Sequence, residues 1–387
     1  GGASCSAQNS RLWATYYGGT SGAECYSTAT DASGNVYLAG STISTSGISS
    51  GGFQNTHSGG AGTYDAFLVK FAPNGNRLWA TYYGGMGNDL GRSVATDASG
   101  NVYLAGQTDS PSGISSGGFQ NTYGGGFFYD AYLVKFAPNG NLLWATYYGG
   151  TGGDEGHSVA TDASGNVYLA GHTDSPSGIS SGGFQNTYGG GWGDAFLVKF
   201  APNGNLLWAT YYGGTFVEIG FSTATDASGN VYLAGQTNSP SGISSGGFQN
   251  TYGGGLYDAF LVKFAPNGNL LWATYYGGTG KEECYSAATD ASGNVYLAGD
   301  SYSNNAIASG GFQNSFIGIE NVFVAKFAPN GNRLCATYYG QVHEEEGRVA
   351  VDNTGNVYLA GWANSSSSIA SGGFQNTYGG GLYDAFL

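Results

Sequence analysis

The segment LWATYYGG starts at Leu12 and returns at Leu78, Leu143, Leu207, Leu271 and, as LCATYYG, at Leu334, so the chain repeats itself every 63 to 66 residues. Two further landmarks keep step with it: GNVYLAG begins at Gly34, Gly100, Gly165, Gly229, Gly293 and Gly355, and GGFQN also occurs six times. A period of this length overrides the two or three domains that 387 residues would otherwise suggest. Each repeat is a unit that hides its apolar surface only against its neighbours.

Within one period, four short apolar runs alternate with turn chemistry. In the second repeat they are Ser93–Asp97, Asn101–Gly106, Asp130–Phe136 and Leu142–Tyr148, here called strands a, b, c and d. The a–b link is Asp-Ala-Ser-Gly-Asn, in which Asp forms an Asx turn and Gly takes positive φ. The c–d link is Ala-Pro-Asn-Gly-Asn, with Pro presetting φ and Asn-Gly closing a hairpin. Strands c and d are apolar on both faces, which suits a sheet sandwiched between other sheets. Four-stranded antiparallel sheets stacked radially meet that need, whereas a β-solenoid has shorter repeats without paired hairpin turns. The expected fold is therefore all-β: a six-bladed β-propeller of four-stranded antiparallel blades, with residues 1–10 as an N-terminal tail and 11–387 as one domain.

The order of the runs also predicts how the ring closes. The chain opens on a strand d (Leu12–Tyr17) and ends on a, b and the start of c (Asp384–Leu387), so the sixth blade combines residues 341–387 with 11–19. This is the velcro closure that removes free sheet edges. The last strand c stops at Leu387 where the other copies continue into VKFAPN, leaving Leu12–Ala14 opposite no intrachain strand. Leu12, Trp13, Ala14, Asp384, Ala385, Phe386 and Leu387 thus form a candidate assembly seam. Either the natural chain continues or was trimmed here, or a neighbouring molecule exchanges a strand and builds a filament. Gly1 in place of an initiator Met reads as a processed chain.

Composition narrows the partners. Lys and Arg number 11 against 25 Asp and Glu, a net charge of −14 that lacks the basic footprint of a nucleic-acid binder or an anionic-membrane binder. No apolar run approaches the roughly 18 to 20 residues of a membrane span. Glycine (72 residues), aromatics at 15% and charged residues at only 9% describe a turn-rich β protein without a nucleophile motif or P-loop.

The b–c and d–a loops share the upper face and carry most of the variation. Every d–a loop holds acids before strand a: Glu24, Asp89, Asp154 with Glu155, Glu218, Glu282 with Glu283, and Glu344 with Glu345. Such a ring suits Ca²⁺, which takes six to eight oxygens, or is a solvated rim; no cofactor is otherwise expected. The b–c loops diverge into Phe128 and Tyr129, Trp192, Tyr257 and Tyr383, aromatics that either stack on sugar faces or pack between blades. Blade 3 alone has His157 and His172 at the top of strands a and b, beside Asp154, Glu155 and Asp174. These could hold a transition metal or move protons, or are drift within the repeat. The recurring strand-c lysines Lys70, Lys135, Lys199, Lys263 and Lys326 are expected to pair with strand-a aspartates such as Asp97 and Asp162. Of four cysteines, Cys5 and Cys335 are expected to form a disulfide, since Cys335 replaces the strand-d Trp next to the N-terminal blade; Cys25 and Cys284 sit too far apart.

The motifs DASGNVYLAG, GGFQNTYGGG, DAFLVKFAPNGN and LLWATYYGG together resemble the bacterial SBBP repeat family, over essentially residues 11–387. The family's name implies seven blades, where this chain counts six. The resemblance implies a secreted or surface-exposed bacterial protein more than it implies a chemistry. The functional expectation is a noncatalytic extracellular structural or adhesive protein, a subunit of a filament or assembly, with copies of itself or surface glycans as partners. The alternative is a lectin-like propeller using the upper loops; a hydrolase or lyase carries least weight.

Overall fold

A computed structural model describes residues 12–125, 128–340, 344–364, 369 and 375–387, with the backbone alone at 344 and 345. The proposed tail 1–10, and with it Cys5, lies outside the described residues.

The repeats form six antiparallel sheets. Blade 1 is β1 (Ala23–Thr30), β2 (Val36–Thr42), β3 (Asp65–Phe71) and β4 (Arg77–Tyr83). Blade 2 is β5 (Asp89–Thr96), β6 (Val102–Thr108), β7 (Asp130–Phe136) and β8 (Leu142–Tyr148). Blade 3 is β9 (Asp154–Thr161), β10 (Val167–Thr173), β11 (Asp194–Phe200) and β12 (Leu206–Tyr212). Blade 4 is β13 (Glu218–Thr225), β14 (Val231–Thr237), β15 (Asp258–Phe264) and β16 (Leu270–Tyr276). Blade 5 is β17 (Glu282–Thr289), β18 (Val295–Ser301), β19 (Asn321–Phe327) and β20 (Arg333–Tyr339). Blade 6 is β21 (Glu344–Val351), β22 (Val357–Ala363) and β23 (Asp384–Phe386). In blades 1–5 the order is a–b–c–d and in blade 6 a–b–c, and strands a of successive blades touch one another from blade 1 to blade 6, which makes a the innermost strand.

Turn chemistry sets the hairpins as the sequence predicts. Asp97 Oδ1 accepts from the amides of Ser99 and Asn101 at 2.9 and 3.0 Å, closing the a–b Asx turn. In the c–d turn Gly140 adopts φ 86°, and a Cβ there would lie 3.0 Å from Cδ2 of Trp79 in the preceding blade. Glycine is thus needed both for its backbone angle and for the indole packed over it.

The apolar core is distributed between blades. Ala66 and Leu68 of blade 1 pack with Val102, Leu104, Tyr132 and Phe136 of blade 2, and equivalent clusters lie at the following junctions. Each of the four junctions from blade 1 to blade 5 is tied at its lower end by one indole and one ammonium on a single carbonyl. Trp79 Nε1 and Lys70 Nζ donate to Pro138 O at 3.0 and 3.2 Å, and Trp144 with Lys135 does the same to Pro202 O. The lysines also meet the expected aspartates: Lys135–Asp97 is 3.5 Å and Lys199–Asp162 is 3.4 Å, with each ammonium 5.0 Å from the ring of Tyr103 or Tyr168.

At the seam each half docks on its own neighbour. Trp13 Nε1 donates to Pro73 O at 2.9 Å and Tyr17 Oη to Ile48 O, as the strand-d Trp and Tyr do at the other junctions. Among the described residues no ladder joins Leu12–Tyr17 to β23, and the sixth sheet has the three strands β21, β22 and β23. Phe386 packs on Tyr339 at 5.5 Å, while Leu12, Ala14 and Leu387 are exposed.

Replacing Trp144 by Ala removes a buried indole and its hydrogen bond, and should cost about 3–5 kcal/mol in chemical denaturation. Trp13→Ala, at the half-buried seam copy of the same position, should cost clearly less; equal losses would contradict this account of the junctions.

Candidate functional site

The acids of the d–a loops fall into two classes that the sequence does not separate. In blades 2–5 the acid that starts strand a is buried, and its charge is spent inward. Asp89 accepts from the hydroxyls of Thr108 and Ser110 and from Gly85 N, the last two at 3.0 and 2.7 Å. Asp154 accepts likewise from Thr173, Ser175 and Gly150 N, and Glu218 and Glu282 hold equivalent places. Only the second acids, Glu24, Glu155 and Glu283, lie toward the open inner edge, where they bond Tyr26, His157 and Tyr285. The side chains of Glu344 and Glu345 lie outside the described residues. The continuous solvated acidic ring expected from the sequence is therefore corrected to alternating buried and accessible acids.

Each buried acid faces a second carboxylate that starts strand c of the preceding blade. A Cβ on Gly84 would fall 2.6 Å from Asp89 Oδ2 and 2.8 Å from Asp65 Oδ1. The same cradle recurs at Gly149 (Asp154 and Asp130), Gly213 (Glu218 and Asp194) and Gly277 (Glu282 and Asp258). A side chain at any of these glycines would collide with both carboxylates, which explains the invariant Gly after Tyr-Tyr. Oδ2 of Asp65 accepts from Ser58 N at 2.8 Å, and that of Asp130 from Gly124 N at 2.6 Å. Oδ1 of Asp65, Asp130, Asp194 and Asp258 is buried with no hydrogen-bond partner among the described residues.

Two buried carboxylates side by side cannot both ionise cheaply. Burial, the dominant cause, pushes Asp89, Asp130, Asp194 and Asp258 up to about 7 and Asp154 to about 6, and raises Asp65, Glu218 and Glu282 as well. The strand-a acid is the one supplied with donors, whereas the strand-c aspartate keeps an Oδ1 with none among the described residues. At the fifth junction the strand-c position is Asn321, neutral at every pH. Two carboxylates are fewer than the six to eight oxygens Ca²⁺ takes, and among the described residues no group of three or more His, Cys, Asp or Glu is gathered as a metal cluster.

The two histidines of blade 3 do come together at one end of the blade, with Glu155 opposite His172 in the ladder. Each is engaged with blade 4: His157 Nδ1 lies 3.1 Å from Gly220 O, and His172 Nδ1 lies 3.1 Å from Glu218 O. Burial lowers the His172 pKa. Both therefore work as links between blades. His57 sits in blade 1, 3.9 Å from Asp65, and His343 lies outside the described residues.

The loop aromatics divide by whether they repeat. The repeated Tyr123, Tyr188 and Tyr252 pack edge-on against Tyr147, Tyr211 and Tyr275. Of the divergent ones, Trp192 is 86% exposed and Phe128 and Tyr383 are exposed, while Tyr129 and Tyr257 are half-buried. Cys335 carries no disulfide among the described residues, nor do Cys25 and Cys284, so the expected Cys5–Cys335 bond has no support.

The family model described as a beta-propeller repeat, SBBP, matches residues 12–47, 78–111, 143–176 and 271–305. An uncharacterized WD repeat-containing protein of Acanthamoeba polyphaga mimivirus is 26% identical over 367 residues, 77% of this chain and 26% of that protein. The regulatory protein FlaEY of Caulobacter vibrioides is 27% identical over 144 residues, 37% of this chain and 15% of that protein. The chain thus spans about a quarter or less of the curated relatives it matches. Among solved structures, a gluconolactonase from Xanthomonas campestris has a TM-score of 0.38 at 9% identity, covering 88% of this chain and 84% of its own. An ulvan lyase, a polysaccharide lyase, has a TM-score of 0.43 at 12% identity, covering 87% and 76%. The fold assignment itself rests on the six sheets described above.

The paired carboxylates make stability depend on pH. Aspartates protonated near 7 in the folded state but near 3.8 when unfolded stabilise the fold below the lower value, and this contribution fades as pH rises toward 7. The turn aspartates Asp162 and Asp226 act oppositely: burial would raise them, but donors led by Asn166 and Asn230 hold them low, so their contribution is lost only as pH falls below that range. Thermal melts should therefore peak near the unfolded carboxylate value and fall toward neutrality. The combined substitution Asp65→Asn, Asp130→Asn, Asp194→Asn and Asp258→Asn should flatten the fall; an unchanged slope would refute the pairing.

Proposed function

We propose that this chain, which carries the SBBP β-propeller repeat, is a noncatalytic structural or adhesive protein of the bacterial cell surface, working as a subunit of an extracellular assembly. The observation behind this reading is where chemistry and apolar surface end up. The recurring acids, lysines and blade 3 histidines are consumed in holding blade to blade, while large apolar side chains stand out from equivalent loops of neighbouring blades: Phe128, Trp192 and Leu256. Exposed apolar groups repeated around one face favour contact with another surface. Repeated weak contacts on a rigid disc add up through multivalency. The net charge of −14 keeps such a protein soluble and away from nucleic acid.

A second reading is supported by the same loops: Trp192 and Phe128 stand near Asn and Gln side chains of the repeated FQNT motif, the mixture that stacks on and hydrogen-bonds to sugars. A lectin-like propeller would use several blades at once.

Sedimentation velocity and negative-stain microscopy separate the first reading from a simple monomer. The wild-type chain should associate as its concentration rises. The triple substitution Phe128→Ser, Trp192→Ser and Leu256→Ser should abolish association without lowering the melting temperature by more than a few degrees. A wild-type chain that stays monomeric at high concentration and adheres to no cell surface would overturn it.

A further inference from the structure

In a chain whose blades are near copies, the places where they differ carry information, and the largest differences fall on one ring. Strand a is interrupted in each of the first five blades by a β-bulge, and the register slips at Tyr26, Arg92, His157, Phe221 and Tyr285. The residues that follow hardly change: Ser-Thr-Ala-Thr, Ser-Val-Ala-Thr or Ser-Ala-Ala-Thr. A bulge re-aims a side chain, and bulges are over-represented beside active sites. Here it presents a different large side chain on the innermost strand of each of five blades. Neighbouring ones touch: the Arg92 guanidinium lies 4.8 Å from the Tyr26 ring, His157 stacks on Phe221 at 5.4 Å, and Phe221 meets Tyr285 at 5.6 Å.

Next to the bulges, the sixth residue of strand b also differs between blades, and there polar capacity is left over. Gln107 and Gln236 are 4% and 5% exposed, and their Oε1 atoms have no hydrogen-bond partner among the described residues. Arg92 Nε is buried without one as well. In blades 1 and 5 the equivalent Ser41 and Asp300 accept amides of the following strand a, Gly91 N and Gly347 N. Glutamine at this position in blades 2 and 4 makes no such link. A buried amide oxygen left unpaired carries its full desolvation penalty, so its presence in two blades calls for an occupant.

We propose that this bulge ring at the inner edge of the blades binds a neutral saccharide. The ring offers acceptors in Gln107, Gln236 and Glu155, a donor in Arg92, and an exposed aromatic ring in Tyr26. A sugar ring matches this set, since every hydroxyl both donates and accepts and its C–H face lies on an aromatic ring. The carboxylates of Glu24, Glu155 and Glu283 disfavour uronates, sulfated glycans and nucleotides by like-charge repulsion. This site is distinct from the outer loop face and goes beyond its adhesive reading.

The test is calorimetric titration of the intact chain with cellotetraose, maltotetraose, xylotetraose and chitotetraose, with tetragalacturonate as the acidic control. At least one neutral tetramer should saturate at one per chain, and the uronate should not. The double substitution Gln107→Leu and Gln236→Leu should weaken binding at least tenfold while leaving the unliganded melting temperature equal or higher, because it removes two unpaired buried amides. A lower melting temperature would assign the glutamines to the scaffold and overturn the proposal. So would the absence of binding by every neutral tetramer, or binding lost in the Phe128→Ser, Trp192→Ser, Leu256→Ser chain but kept in the glutamine variant, which places the sugar on the outer loops.

Discussion

The structure depends on one contact made again and again: the strand-d indole that reaches over the glycine of the next blade's c–d turn and donates to its proline carbonyl. Trp79, Trp144, Trp208 and Trp272 make it at 2.9 to 3.0 Å, and a strand-c lysine shares the same oxygen. Because blades 1–4 present both halves, indole on one side and Pro-Asn-Gly on the other, the contact propagates from blade to blade. It also explains the sequence around it. Glycine sits under the indole because a Cβ does not fit, proline supplies a carbonyl, and lysine is neutralised by an aspartate of its own blade. Where blade 5 carries Cys335 instead, no indole is available to grip a following turn.

The upper ends of the junctions solve a different problem. There the blades meet through two carboxylates with unequal surroundings: the strand-a acid collects hydroxyl and amide donors, and the strand-c aspartate keeps one oxygen without a partner among the described residues. Lower rim and upper rim thus obey opposite electrostatics. Asn donors, with the lysine ion pair, hold turn aspartates such as Asp162 low below, and burial raises the paired acids above.

Between these rims lies the region where the repeats stopped being copies. Packing against two neighbours holds strands c and d to a narrow set of residues, and the turns are held by backbone angles. The bulged position of strand a lies outside both constraints: it meets mainly the bulged residue of an adjacent blade, so the two can change together. Variation gathers there because packing restrains it least, and a ring built from one such position per blade is asymmetric even though its scaffold is not.

The sequence by itself determined the six repeats, the four strands of each, both turn types and the lysine–aspartate pairs, because these follow from local periodicity and from residues a few positions apart. It also placed Trp13 in the role of a strand-d tryptophan. Only the tertiary structure decided which acids are buried, since Asp89 and Glu24 look alike until Asp65 and Gly84 are brought beside the first. It decided that His157 and His172 bond to carbonyls of another blade and that the sixth sheet has three strands among the described residues. It also decided that the odd residue of each strand a is a bulge. The acid pairs and histidine links join different repeats and the bulges are slips in register, and neither leaves a mark in the spacing of residues along the chain.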